Sequence, residues 1–262
     1  MTSIELDIWR GEWGLASIDL ECLKVLVSAF LHNLKPGTMP VYISVFILYR
    51  IEVVEHLKSL VNLVLHYSTD VHLNTKQAAE ASAFTQYLRE KLYPAYQYAW
   101  WVDEKNYCDL TRPTYAKALC IPFNFYYPSH YQNAAKEMVD TPQAWSRGVV
   151  VLFFKKGDNA LEAEKCLKTL SDRLGESEYF FGNRPSSFDA TVFAYLAPLI
   201  KAPFPNSTLA NHVKGIANLS RFVARINQKN FRHVTDGKFC GKESFLFQNV
   251  QLANGIYSRR SI

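Results

Sequence analysis

Hydrophobic and polar positions change rhythm several times along this chain, and the sharpest change falls at Asp189. Tyr179 to Ile200 runs YFFGNRPSSFDATVFAYLAPLI. After Asp189 come Ala190, Val192, Phe193, Ala194, Tyr195, Leu196 and Ala197, with no charge before Lys201. A helix that is apolar all round is buried on all sides. The stretch therefore predicts the central helix of an all-helical domain. Ser186 and Asp189 stand in front of it at a capping-box spacing. A Ser at that place accepts the N–H of the third helical residue, and a short acid there reaches back to the cap's own N–H. Pro185 lies just outside the cap, and Gly182 with Asn183 supplies the preceding turn.

The N-terminal pattern is mixed. Ile4 to Trp9 alternates apolar and polar residues, as a strand with one buried face does. Gly11 to Gly14 predicts a turn and Ser17 an N-cap. Asp19 and Glu21 then fall in the first helical turn, where the helix dipole favours acids. Ile18, Cys22, Val25, Leu26 and Ala29 keep helical spacing. After the turn-rich Leu34 to Pro40, Val41 to Leu48 is β-branched and aromatic and predicts a buried strand. Val53 to Leu65 returns to helical spacing, and the polar Ser68 to Asn74 marks the expected domain boundary.

Beyond that boundary helical spacing dominates. Thr75 to Trp101 predicts one long helix, kinked or broken by Pro94. Thr111 to Phe125 predicts another, with Pro113 near its start and Pro122 near its end. Pro128 to Asp140 follows as a helix. Val149 to Phe154, VVVLFF, is a β-like run with no evident partner. Ala160 to Leu174 is amphipathic, with Ala163, Leu167, Leu170 and Leu174 on one face and Gly175 as its stop. Leu209 to Asn227 predicts a single further helix, and past Lys229 the pattern fades into a polar tail.

Composition narrows the function classes. The chain has 262 residues, enough for one large domain or two small ones, and its 48% hydrophobic content is ordinary for a globular protein. Its net charge of +5 is scattered, without the Lys/Arg stripe that nucleic acid requires. Cys22, Cys108, Cys120, Cys166 and Cys240 are odd in number, widely spaced and without a CxxC. That pattern fits reduced thiols and argues against a disulfide framework or a zinc site. His56 and His66 are too far apart for a helical metal-binding pair, so no metal ligands are assigned. The N-terminus has neither a secretory nor a matrix-targeting character. Met39 to Leu65 is apolar but interrupted by Arg50, Glu52, Glu55 and Lys58, which spoils the run of ~20 apolar residues that spans a bilayer. Trp100 and Trp101, with Tyr98 and Tyr107, could form an exposed contact surface or a piece of core; the large area that aromatics bury favours the core. Asp103, Glu104 and Lys105 have the look of a solvated turn.

A small α/β unit followed by a helical domain resembles the plan of the glutathione transferases. Gly37-Thr38-Met39-Pro40 resembles the turn that carries their cis-proline, and Ser186 to Asp189 resembles the cap of their central helix. Within that superfamily the chain is more similar to the metaxins, on the metaxin-1 and metaxin-3 branch. WGLASIDLECL (Trp13 to Leu23), AFTQYLREKLYPAYQYAWWVDEKNY (Ala83 to Tyr107), IPFNFYYP (Ile121 to Pro128) and LSDRLGESEYFFGNRPSSFDATVFAYL (Leu170 to Leu196) carry that likeness. The expected fold is α+β and glutathione-transferase-like. It divides into a shortened thioredoxin-like unit over 1–74, an all-α domain over 75–230 and a polar tail over 231–262.

The resemblance implies an interaction protein with no catalytic, cofactor-binding or metal-binding residues. Metaxins sit on the cytosolic face of the mitochondrial outer membrane, pair with a second, metaxin-2-like chain and support the complex that assembles β-barrel proteins. Some act as adaptors between mitochondria and motor proteins. Three departures stand out. Leu31 to Pro36 is too short for the family's passage to a second strand, VVVLFF replaces a polar helical approach, and the family's C-terminal membrane anchor is absent. Attachment through partners is therefore expected. The alternative is a glutathione-dependent transferase. Its activating hydroxyl would be Ser17, a residue equally suited to an ordinary N-cap. Glu52 or Glu55 would repel the glutathione carboxylate at the next helix.

Overall fold

A computed structural model describes residues 6, 7, 9–31, 41, 42, 70–119, 121, 123–140 and 156–231. Two short strands, β1 (Leu6–Asp7) and β2 (Val41–Tyr42), pair in parallel with Leu6 opposite Val41 and Asp7 opposite Tyr42. Helix α1 (Leu20–Leu31) lies between them in sequence. A parallel pair with a helix between its strands is a βαβ arrangement. Trp9, expected to end the first strand, is described and lies outside β1. The other residues of the expected strands at Ile4 to Trp9 and Val41 to Leu48, the Pro40 turn, the Val53 to Leu65 helix, VVVLFF and the tail beyond Phe231 lie outside the described residues.

The helical part begins with α2 (Thr75–Lys91), which carries a capping box: Asn74 Oδ1 accepts the Gln77 N–H at 2.8 Å, and Gln77 Oε1 accepts the Asn74 N–H at 3.1 Å. The helical stretch from Thr75 to Trp101 is broken at Pro94, as expected. Pro94 has no N–H and clashes with the preceding turn, so α2 gives way to the short α3 (Tyr93–Gln97). The chain then widens into a π-helical turn at Tyr98–Val102, closed by Asp103 N–H on the Tyr98 carbonyl. A single helical turn and a second π-helical turn, Tyr107–Thr111, lead into α4 (Arg112–Lys117).

The helix expected over Thr111 to Phe125 stops at Lys117, and helix α5 (Phe123–Asp140) begins five residues ahead of the Pro128 start that was expected. Helix α6 (Lys156–Leu174) ends at Gly175, whose φ of +53° is one that residues with a Cβ rarely adopt. Helix α7 (Ser187–Lys201) is the spine, buried from Phe188 to Leu199. The single helix expected from Leu209 to Asn227 is two, α8 (Thr208–Gly215) and α9 (Ala217–Asn230), parted at an extended Ile216. The break has a cause. Asn218 must turn to the end of α6, where its Nδ2 donates to the Ser171 carbonyl at 2.8 Å and to Gly175 at 3.3 Å. The Ser220 hydroxyl meanwhile donates to the last carbonyls of α8, Val213 and Lys214.

Helices α1, α2, α8 and α9 all pack on α7. The core therefore runs without interruption from Leu23 and Val27 on α1 through Phe193 and Leu196 to Phe222 and Ile226 on α9. Among the described residues, no helix is long and apolar enough to cross a membrane.

Candidate functional site

Three places could carry function: the start of α1, the aromatic cluster around the π-helical turns, and the cap of α7. At the first, Gly11 is required, since a Cβ there would lie 2.0 Å from the Leu15 carbonyl oxygen. Trp13 takes a left-handed φ of 54°, unusual for a bulky residue, and Gly14 follows at 73°. The resulting turn buries Ser17 completely. Ser17 is not the N-cap expected from its position. Asp19 fills that role: its Oδ2 accepts the Cys22 N–H at 3.1 Å and its carbonyl accepts the Leu23 N–H at 3.0 Å. Ser17 stands outside the cap, and its Oγ accepts the Asp19 N–H at 3.2 Å. A hydroxyl that activates a bound thiol must face that thiol; this one faces the interior.

The aromatic cluster is core, as the area argument favoured. Trp100 and Trp101 are both buried. Trp101 meets Tyr115 at 4.8 Å and Tyr131 at 5.3 Å between ring centroids, and Trp100 meets Phe204 edge-on at 4.8 Å. Trp9 packs edge-on against Tyr115 at 5.0 Å, and Trp13 reaches Trp100 at 6.0 Å, which joins the start of α1 to this cluster. Of the expected solvated turn, Glu104 and Lys105 are exposed, while Asp103 is half-buried and hydrogen-bonded. Its Oδ1 accepts the Asn106 N–H and its Oδ2 accepts Asn206 Nδ2 at 2.8 Å. The Asn106 side chain is the centre of this clasp. Its Nδ2 donates to the carbonyls of Ala99 and Asn206, each at 3.0 Å, and its Oδ1 accepts the Asn206 N–H at 2.7 Å. The Asp-x-x-Asn spacing predicts the short cap, but nothing in the sequence points to Asn206, a hundred residues on.

At α7 the capping box forms as expected and does more. Asp189 Oδ2 accepts the Ser186 N–H at 2.8 Å and the Ser186 hydroxyl at 2.5 Å, while Oδ1 accepts the Phe180 N–H at 2.9 Å. The carboxylate thus fixes the approach to the helix as well as its first turn. Burial holds the Asp189 carboxyl above its ordinary value, against the pull of the Ser186 hydroxyl and the Phe180 and Ser186 N–H groups. The neighbouring Ser187 is taken by Asp70, whose Oδ1 accepts its N–H at 2.9 Å and whose Oδ2 accepts its hydroxyl at 2.5 Å. These carboxylate–hydroxyl pairs have all their polar atoms engaged in the fold, with no histidine or cysteine in the hydrogen-bond set.

Other candidates are quickly placed. Pro40, Glu52, Glu55, His56 and His66 lie outside the described residues. Among the described residues no group of His, Cys, Asp and Glu could hold a metal, and Cys108 and Cys166 are free thiols. Burial pushes the Cys166 thiol up to about 12, which makes it inert. The feature that sequence reasoning missed is on α5, where Phe125 and Tyr126 are exposed beside Ile121.

Two family models match parts of the chain. Residues 33–132 match a family described as outer mitochondrial membrane transport complex protein, and residues 163–226 match the glutathione S-transferase C-terminal domain. Metaxin-1 of Bos taurus is 34% identical over 241 residues, covering 85% of this chain and 74% of that protein. The chain belongs to the metaxin family. Metaxin-3 of Xenopus laevis is 31% identical across 98% of the chain and 86% of its own length. The metaxin-1 homolog of Drosophila melanogaster is 34% identical over 87% of the chain and 72% of that protein. The transferase-domain match covers α9 to Ile226, the cap of α7 and most of α6. The transport-complex match contains both π-helical turns and the start of α5 of this metaxin.

Proposed function

We propose that this metaxin is a non-enzymatic subunit of a transport complex at the outer mitochondrial membrane, held on its cytosolic face. The family match over residues 33–132 carries the reading. The inward-facing Ser17 supports it, since the hydroxyl that a transferase would use is spent on the turn before α1. Its partners in this reading are a second, metaxin-2-like chain and the machinery that assembles β-barrel proteins, and in some settings adaptors of motor proteins. The body would comprise a shortened thioredoxin-like unit over 1–74, an all-α domain over 75–230 and a tail over 231–262; the parallel β1–β2 pair is consistent with that division.

The test is isolation of the tagged chain from solubilised mitochondria and, in a separate sample, protease added to intact organelles. Co-purification of a second metaxin and a barrel-assembly component in the first sample, and loss of the tag in the second, are expected. A chain that stays outside mitochondria, or purifies alone from them, would sink the reading. The match at 163–226 favours one rival, a glutathione-dependent transferase. Turnover of glutathione with an electrophile, lost in Ser17→Ala, would establish that rival; calorimetry that detects no glutathione binding would dismiss it.

A further inference from the structure

Helix α9 has two unlike sides. Leu219, Phe222, Val223 and Ile226 are buried in the core. The solvent side carries Ala217, Arg221, Ala224, Arg225, Gln228 and Lys229. Its three charged residues are all cations and recur at every fourth position. A turn of ~3.6 residues keeps them within a quarter-turn over about 12 Å of the axis. Arg221 and Lys229 are exposed and Arg225 is half-buried. The exposed Lys214 ends α8 just ahead of them, and its carbonyl accepts the Ser220 hydroxyl at 3.3 Å, one residue from Arg221. Between Asp189 and Asp236 stand six Lys or Arg and no Asp or Glu, so the rest of the chain is close to neutral. The net charge that looks scattered along the sequence is therefore concentrated here. Among the described residues none of the four cations has a carboxylate within ion-pair distance. Arg225 Nη1 donates to the Glu178 carbonyl and Lys229 Nζ to the Tyr179 hydroxyl at 3.0 Å. These neutral acceptors aim the two cations and leave their charge in place. Exposed acids stand at the Asn218 border: Glu178, and Asp172 and Glu176, which follow the two carbonyls that Asn218 holds. The α8 border has none.

We infer that the face formed by Lys214, Arg221, Arg225 and Lys229 docks on an anionic phospholipid surface. Charge complementarity sets the sign of the partner, and the rest of the face sets its kind. A protein interface is centred on aromatic or other large anchors, with charge depleted around them. Here the residues among the cations are Ala217, Ala224 and Gln228, on the convex outside of a helix. Cations without an anchor match a partner whose own charge is spread over a plane, as that of lipid headgroups is. The transport-complex family matched by this chain belongs to the outer mitochondrial membrane, and the choice of a bilayer rests on that reading. Each Lys or Arg near such a surface contributes about fivefold in binding, the equivalent of ~1 kcal/mol, and the attraction fades within a Debye length of ~8 Å at physiological salt. The contact is weak by itself. It orients a subunit, turning the α8–α9 side toward the bilayer and the Asn218 border, with its acids, away.

Co-sedimentation of the purified full chain with phosphatidylcholine vesicles, with and without phosphatidylinositol, tests it. Binding is expected only with the anionic vesicles, and should vanish at about 1 M salt, where the Debye length is ~3 Å. Lys214→Gln and Arg221→Gln should each lower binding about fivefold with melting curves like the parent's. Glu178→Gln should raise it. Lys117→Gln, which removes the same charge from the exposed end of α4, should leave it unchanged. No binding to anionic vesicles, equal binding to neutral ones, or an equal loss in Lys117→Gln would overturn the inference. So would a chain that ignores vesicles while Arg221→Glu loses a protein from the mitochondrial complex, which would assign the face to an acidic protein instead. The vesicle assay contains no mitochondria, so its failure leaves the transport-complex reading standing, and co-purification can fail while the vesicles still bind.

Discussion

Helices α5 and α7 are close in length, 18 and 15 residues, and both are rich in aromatic and apolar side chains. One is sealed on every side and the other shows two aromatic rings to solvent. The difference lies in what surrounds each. Four helices converge on α7, and its start is held by a carboxylate that binds the helix, its cap and the incoming Phe180 together. Among the described residues, helix α5 packs on one side, against short helices and widened turns. Apolar content therefore does not decide burial. The number of elements that converge on a helix does.

The contrast can be broken most directly by truncating one ring on each helix. Phe193→Ala removes a buried ring from α7 and should cost about 3–5 kcal/mol. Phe125→Ala should stay within about 0.5 kcal/mol. Urea midpoints of the two variants decide this, and similar losses would mean that α5 is not the exposed element described.

Asp189→Ala should come next, at about 2–4 kcal/mol, since the buried N–H groups of Phe180 and Ser186 would lose their acceptor. The loss exceeds the ~1 kcal/mol of an ordinary cap because the carboxylate also holds the approach. The same residue gives a pH prediction. Its carboxyl is raised by burial, so the folded state holds that proton more tightly than the unfolded chain. This contribution is fully present below the ordinary carboxylate range and is lost as pH rises through the raised value. The stability of the parent relative to Asp189→Asn should therefore be greatest in acid and shrink toward neutrality; a difference that grows with pH would contradict it.

Asp70→Ala should cost about 1 kcal/mol by freeing the partly buried N–H and hydroxyl of Ser187. It should also expose the 70–74 junction to limited proteolysis, visible as a new cleavage there. The smallest effect is chemical. Iodoacetamide should label the exposed Cys108 in the folded protein and leave the buried Cys22 and Cys166 unlabelled until denaturant is added.

What the sequence makes legible follows the range of the forces involved. The α7 cap could be read because Ser186 and Asp189 act on each other across three residues. Burial of α7 could be read because no charge interrupts it. Errors arose where a local signal has two meanings. Helical spacing continues past Lys117, where the helix from Arg112 ends, so the spacing alone did not show the stop. Ser17 and Asp19 are both good caps, and the Trp13–Gly14 turn decides for Asp19. The split between α8 and α9 was invisible because its cause is Asn218 reaching α6. The Asp70–Ser187 and Asn106–Asn206 clasps join residues about a hundred apart, with no periodicity to betray them. The face of α5 was missed for a different reason: its aromatics resemble core residues, and only the lack of a second layer reveals them.

The packing of α1 on α7 also sets a schedule for synthesis. Leu31 is made 156 residues before Ser187, and ribosomes add about 5–20 residues per second. The apolar face of α1, with Leu23, Val27 and their neighbours, therefore waits roughly 8–30 s for the helix that covers it. During that interval the nascent chain presents a sticky surface that a holding chaperone must shield, and slowing translation should lengthen the period of chaperone occupancy in proportion.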